Sequence, residues 1–171
     1  KDYKKAFEWS SKAATDKSNP FGPLQLGSLY RDGKGVEKDY KKAFEWYTRA
    51  AEQGNASGQT NLGMMYRDGR GVKQDFLIAS DWYRQSAEQG LAVGQISLGL
   101  FYYHGAGVQK SFVKAYKWMF IPAANGHENA EKYLAEISKL MSAEDIEKAR
   151  TLASIFSPKL IHQNILRPLS E

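Results

Sequence analysis

The sequence contains no cysteine. That absence excludes disulfide staples, thiolate metal sites and a cysteine nucleophile, while leaving an oxidising compartment open. No uninterrupted apolar run approaches the roughly 18 to 20 residues that a membrane-spanning helix needs, so no membrane insertion is expected. No stretch alternates apolar and polar residues with period two, so no strand is assigned. Charge of one sign does not gather in blocks. The chain carries 24 Lys and Arg against 19 Asp and Glu, a net +5, but the signs are interleaved along most of its length. That pattern reads as solvated helix surface, and no nucleic-acid partner is assigned. Lys1 is not followed by a charged and then apolar leader, so any targeting segment is expected to have been removed or to lie upstream.

Catalytic signatures are missing as well. The three histidines, His104, His127 and His162, show no ligand spacing, and a zinc site needs three or four convergent donors. No Gly-x-Ser-x-Gly elbow is present. Glu144 and Asp145 are adjacent in what reads as the first turn of a helix, where the helix dipole favours them for structural reasons. No catalytic residue, metal site or cofactor is assigned.

What the 171 residues do contain is an ordinary globular composition, 42% hydrophobic and 25% charged, and a repeat. The segment YRDGKGVEKD at 30–39 returns as YRDGRGVKQD at 66–75. With an offset of 36, Leu26-Gly27 falls on Leu62-Gly63 and then on Leu98-Gly99. Tyr30 becomes Tyr66 and Tyr102, while Gly33, Gly35 and Val36 become Gly69, Gly71, Val72 and Gly105, Gly107, Val108. Ala43 and Trp46 become Ala79 and Trp82, then Ala115 and Trp118, and Gly54, Gly90 and Gly126 close the three units. A period of this size marks a solenoid, because one such unit is too small to bury its own apolar face.

Each unit reads as two helices. In the first, Gly58, Leu62, Gly63 and Tyr66 share a face, and glycine there admits a close neighbouring helix. Gly69 stands where a helix commonly ends in the left-handed conformation, Gly71 frees the following turn, and Val72 plugs back under the pair. The second helix begins after Asp2, Asp39, Asp75 or Ser111, all good N-caps, each followed by an aromatic residue. An alanine and a tryptophan then continue one buried stripe, which places Trp9, Trp46, Trp82 and Trp118 in the core. The paired glycines therefore close helix pairs; a phosphate loop would need a strand before a single glycine turn.

The series Leu-Gly-x-x-Tyr, Gly-x-Gly-Val, Asp-aromatic-x-x-Ala-x-x-Trp and Ala-Glu-Gln-Gly resembles the Sel-one-like repeat, a relative of the tetratricopeptide repeat with a 36-residue period. The resemblance implies an all-α fold, a right-handed alpha-alpha superhelix of helical hairpins whose first helices line a concave surface. It spans 1–155: a partial first repeat at 1–19, full repeats at about 20–54, 55–90 and 91–126, and capping helices at 127–155, followed by a tail at 156–171. It also implies a non-enzymatic scaffold or adaptor for another protein, most often bacterial, and periplasmic or exported in many members. Some members serve as immunity proteins that neutralise a secreted antibacterial effector. Cysteine-rich members have been linked to beta-lactam binding; without cysteine, that activity is not carried over, and an envelope hydrolase or beta-lactam-binding protein stays the competing class.

By analogy with tetratricopeptide repeats, the groove face comprises Phe21, Leu24, Ser28 and Arg31 in the first full unit. The second supplies Ser57, Thr60, Met64 and Arg67, and the third Val93, Ile96, Leu100 and Tyr103, with His104 alongside. Arg31 and Arg67 are candidates for a short cationic ladder facing a partner carboxylate, unless each pairs with the Asp that follows it. The third unit is apolar where a solvated face should be polar. Two readings remain: a partner segment anchored on Tyr103, or coverage by the chain's own tail through Leu160, Ile161, Ile165 and Leu166.

Overall fold

A computed structural model describes residues 2–16, 19 and 21–155. Nine α-helices make up the regular structure among the described residues: α1 (Tyr3–Ala13), α2 (Phe21–Asp32), α3 (Tyr40–Glu52), α4 (Ala56–Asp68), α5 (Phe76–Glu88), α6 (Ala92–His104), α7 (Phe112–Ala124), α8 (Glu128–Ser138) and α9 (Ala143–Ser154). They pack as consecutive hairpins, each helix against the next along the chain as far as α8, and α9 folds back onto α7. The tail residues Leu160, Ile161, Ile165 and Leu166, together with His162, lie outside the described residues.

The helix starts follow from the predicted caps. The Asp39 carboxylate accepts from the Lys41 and Lys42 backbone N–H groups, and Asp75 accepts from Ile78 N–H. Asp2, Ser111 and Ser142 do the same for Lys5, Lys114 and Asp145. Each of these contacts satisfies a donor that the helix itself leaves orphaned. At the other end α4 stops at Gly69, whose φ of 66° is left-handed and whose N–H donates to Met65 O.

The interior repeats with the sequence. Ala43, Ala79 and Ala115 are buried, as are Leu26, Leu62 and Leu98. One residue beyond each tryptophan, Tyr47, Tyr83 and Met119 are fully buried. Their side chains fill notches left by glycine on the partner helix: Tyr47 against Gly27, Tyr83 against Gly63 and Met119 against Gly99. This corrects the expected tryptophan core. Trp9 is 72% exposed, Trp46 and Trp82 are half-buried, and Trp118, on the helix that carries both α8 and α9, is the buried one. The reason is angular: Tyr47 lies one full turn beyond Ala43, on the line facing α2, whereas Trp46 sits at the flank of that stripe.

Polar groups inside the stack are paired across helices. The buried Gln59 and Gln95 amides donate to the carbonyls of Ala51 and Ala87 at the ends of the preceding second helices, and the Thr60 and Ser86 hydroxyls meet at 2.7 Å. The Tyr47 hydroxyl lies 3.2 Å from Ser28 Oγ. In the next unit Ser28 is replaced by Met64, and the buried Tyr83 hydroxyl makes no hydrogen bond of ordinary geometry, the Ser97 side chain giving it only weak polar support. Burial pushes the Tyr83 phenol from its ordinary 10.0 up to about 12. The folded state therefore holds this proton more tightly than the unfolded chain does. That contribution is complete below pH 10 and is lost as pH rises toward 12. Tyr83→Phe should leave stability at neutral pH within about 1 kcal/mol of wild type and make the alkaline decline shallower, as read from thermal melts across that range.

Candidate functional site

The predicted groove residues lie on α2, α4 and α6, with different degrees of freedom. Phe21 is 64% exposed and Val93 47% exposed. Leu24, Met64, Ile96 and Leu100 are half-buried, each resting one side on the core. Tyr103 is half-buried as well, its ring 5.9 Å from Phe112, 6.5 Å from Tyr133 and 4.9 Å from His104, which is exposed. Ser28 is committed to Leu24 O and the Tyr47 hydroxyl. Thr60 departs from the expectation. It is 4% exposed, because its hydroxyl is drawn to Ser86 on α5, so it holds the hairpin together and offers nothing to a groove.

The arginine ladder resolves into local pairs. Arg31 Nε donates to Asp32 Oδ1 at 2.8 Å and Arg67 Nε to Asp68 Oδ1 at 2.7 Å. Arg31 also reaches across to Asn61 Oδ1 on α4 at 3.3 Å. Asp32 accepts additionally from Lys34 Nζ at 2.9 Å. The two hydrogen bonds, from Arg31 first and then Lys34, hold the Asp32 carboxyl down at about 2, so it stays charged across any ordinary pH.

These groups belong to a larger feature that sequence reading missed. An open depression of about 470 Å³ at the boundary of the first two full hairpins is lined by Arg31, Asp32, Lys34, Lys38, Tyr40 and Arg70. Tyr40 is among the lining residues, with the Lys38 ammonium 4.8 Å and the Arg70 guanidinium 5.6 Å from its ring centre. Arg70 comes from the following unit. It is delivered by the turn at Gly71, whose φ is 73° and whose α-carbon packs so closely on the Tyr40 carbonyl that a β-carbon would collide with it. A second missed feature is an apolar strip at the start of α5, where Phe76, Leu77 and Ile78 are 41%, 62% and 37% exposed. In the preceding unit the positions of Leu77 and Ile78 hold Lys41 and Lys42.

Among the described residues no group of three or more His, Asp or Glu side chains is placed to hold a metal ion. Among them, too, no helix is long and apolar enough to cross a membrane.

A family model described as Sel1 repeat matches residues 1–18, 24–55, 56–91 and 92–127. Among solved structures, the chain is similar to a Sel1 repeat protein from Oxalobacter formigenes, with 37% identity and a TM-score of 0.67 over 73% of this chain and 94% of that one. It is also similar to a protective antigen present in uropathogenic Escherichia coli strains and displaying an SLR fold, with 28% identity and a TM-score of 0.70. That alignment covers 98% of this chain but 44% of the antigen, so the chain spans less than half of that protein's length. No curated protein matches significantly.

Proposed function

This chain belongs to the Sel1 repeat family, and from that premise we propose that it is a non-enzymatic scaffold holding a protein partner in the concave groove formed by α2, α4 and α6. Repeats of this kind generally mediate protein interactions and are typically non-catalytic. The observation that carries the reading is a division of labour between side chains of the same helices. Leu62, Gly63, Leu98 and Gly99, which recur in every full unit, are buried. Positions that differ between units are left at the surface: Phe21 in the first full unit and its counterpart Val93 in the third are both apolar, 64% and 47% exposed. A helix face that the fold does not need, and that water does not favour, is the part free to recognise something.

Val93→Asp tests this with little risk to the fold, because an acidic residue near the start of α6 suits the helix dipole. Affinity capture with the full-length protein should show partner recovery reduced about tenfold, with the melting temperature unchanged. Recovery unchanged by Val93→Asp, Leu100→Asp and Tyr103→Ala alike would contradict the groove. Two uses fit the scaffold: an adaptor in envelope assembly or signalling, and an immunity protein bound to a secreted antibacterial effector, in a periplasmic or exported setting. A stable complex with the product of a neighbouring effector gene identifies the second. The competing reading, an envelope hydrolase or beta-lactam-binding protein, requires turnover or ligand binding by the purified chain that persists in all three groove variants.

A further inference from the structure

We propose that the depression around Tyr40 binds an acidic segment of a protein partner, with Arg31, Lys34, Lys38 and Arg70 reading its side-chain carboxylates. The inference rests on the scaffold reading and specifies the chemistry of one end of the partner.

Three observations carry it. The first is charge: four of the six lining residues are cations, and against them stand two carboxylates, Asp32, shared by Arg31 and Lys34, and Asp68 beside the depression, 3.6 Å from Arg70 Nε, which leaves the cluster net positive. The second is that the fold does not require this accumulation. One unit further on, the positions of Lys34, Lys38 and Tyr40 hold Arg70, Gln74 and Phe76, and two units on they hold Ala106, Lys110 and Phe112. The hairpins stack equally well there, so the excess positive charge at the first boundary is not a condition of stacking. The third is the kind of donor on offer. The turn N–H groups are spent internally, Lys34 N on Leu29 O, Asp39 N on Tyr30 O and Arg70 N on Met65 O. A compact phosphate site ordinarily converges backbone N–H groups on the anion. Here long side chains line an open depression, two of them meeting at Asp32 and two at the Tyr40 ring, which suits several carboxylates spread along an extended segment better than one phosphate. The Tyr40 ring holds the Lys38 and Arg70 cations beside one another, so that both face the same segment.

Fluorescence anisotropy with the purified full chain and a short labelled polyglutamate peptide tests the proposal directly. Binding should be saturable and should weaken with salt. The Lys38→Glu/Arg70→Glu double variant should weaken it about tenfold or more, and Asp32→Asn should tighten it about threefold. Lys132→Glu/Lys139→Glu makes the same change in net charge at exposed positions on and beside α8 and should alter it less than about twofold. Equal losses in the two double variants would reduce the effect to bulk charge and overturn the site. Stoichiometric binding of pyrophosphate without any binding of polyglutamate would overturn it in favour of a phosphate ligand. Val93→Asp separates this proposal from the one it rests on. If that variant abolishes partner capture while Lys38→Glu/Arg70→Glu alters neither capture nor peptide binding, the groove stands and the acidic-segment site falls.

Discussion

Tyr83→Ala should cost about 3 to 5 kcal/mol of unfolding free energy, the upper range for truncation of a core aromatic. The ring is fully buried, and it ties two hairpins together. On one side it occupies the notch left by Gly63 on α4, and on the other it meets the Phe101 ring of α6 edge-on with centroids 5.1 Å apart. Gly63 has no side chain with which to fill the vacated space, so the cavity persists and its full cost is felt. Trp82→Ala, one residue away, removes a larger side chain from a half-buried site and should cost clearly less. Urea denaturation of both variants makes the comparison, and a costlier Trp82→Ala would return the interior to the tryptophan row.

The second large effect is expected at Gly71. Gly71 and Gly90 both have left-handed backbones, with φ of 73° and 85°. An alanine pays about 1 to 2 kcal/mol for that conformation at either site. The surroundings differ. Nothing lies within 4 Å of a β-carbon built at Gly90, whereas one built at Gly71 runs into the Tyr40 carbonyl on the preceding hairpin. Gly90→Ala should therefore cost only the backbone term. Gly71→Ala should cost about 3 kcal/mol or more, because rigid backbone, not a flexible side-chain tip, stands in the way. The difference between the two variants measures the contact between successive units, and equal losses would mean that the turn is not seated on its neighbour.

Much of the architecture was legible because it repeats. Asp39, Asp75 and Ser111 mark helix starts through local chemistry that needs no tertiary information, and the Gly69 and Gly71 pair marks the turn in the same way. The tryptophans misled because Trp46 and Tyr47 are adjacent, and helical periodicity alone does not say which of two neighbouring positions faces the partner helix. The glycine opposite decides it: only Tyr47 meets the notch at Gly27. At the groove, spacing placed Val93 and Phe21 on exposed helix faces but could not show that the Thr60 hydroxyl turns toward Ser86. The cationic depression was invisible in sequence because Arg70 stands a full unit away from Lys34 and reaches Tyr40 through the Gly71 contact. The apolar strip at Phe76, Leu77 and Ile78 had a visible signal, the loss of the Lys41 and Lys42 pair of the preceding unit, that comparison between units would have caught.

The account stands on hairpins seated on one another in series, and amide hydrogen exchange in wild type and Gly71→Ala tests that most directly. Exchange should accelerate on both sides of the altered contact, in α3 as well as in α4 and α5, while the amides around Tyr116 and Met119 in α7 keep their protection. Acceleration confined to residues 69–72, with α3 unchanged, would contradict it.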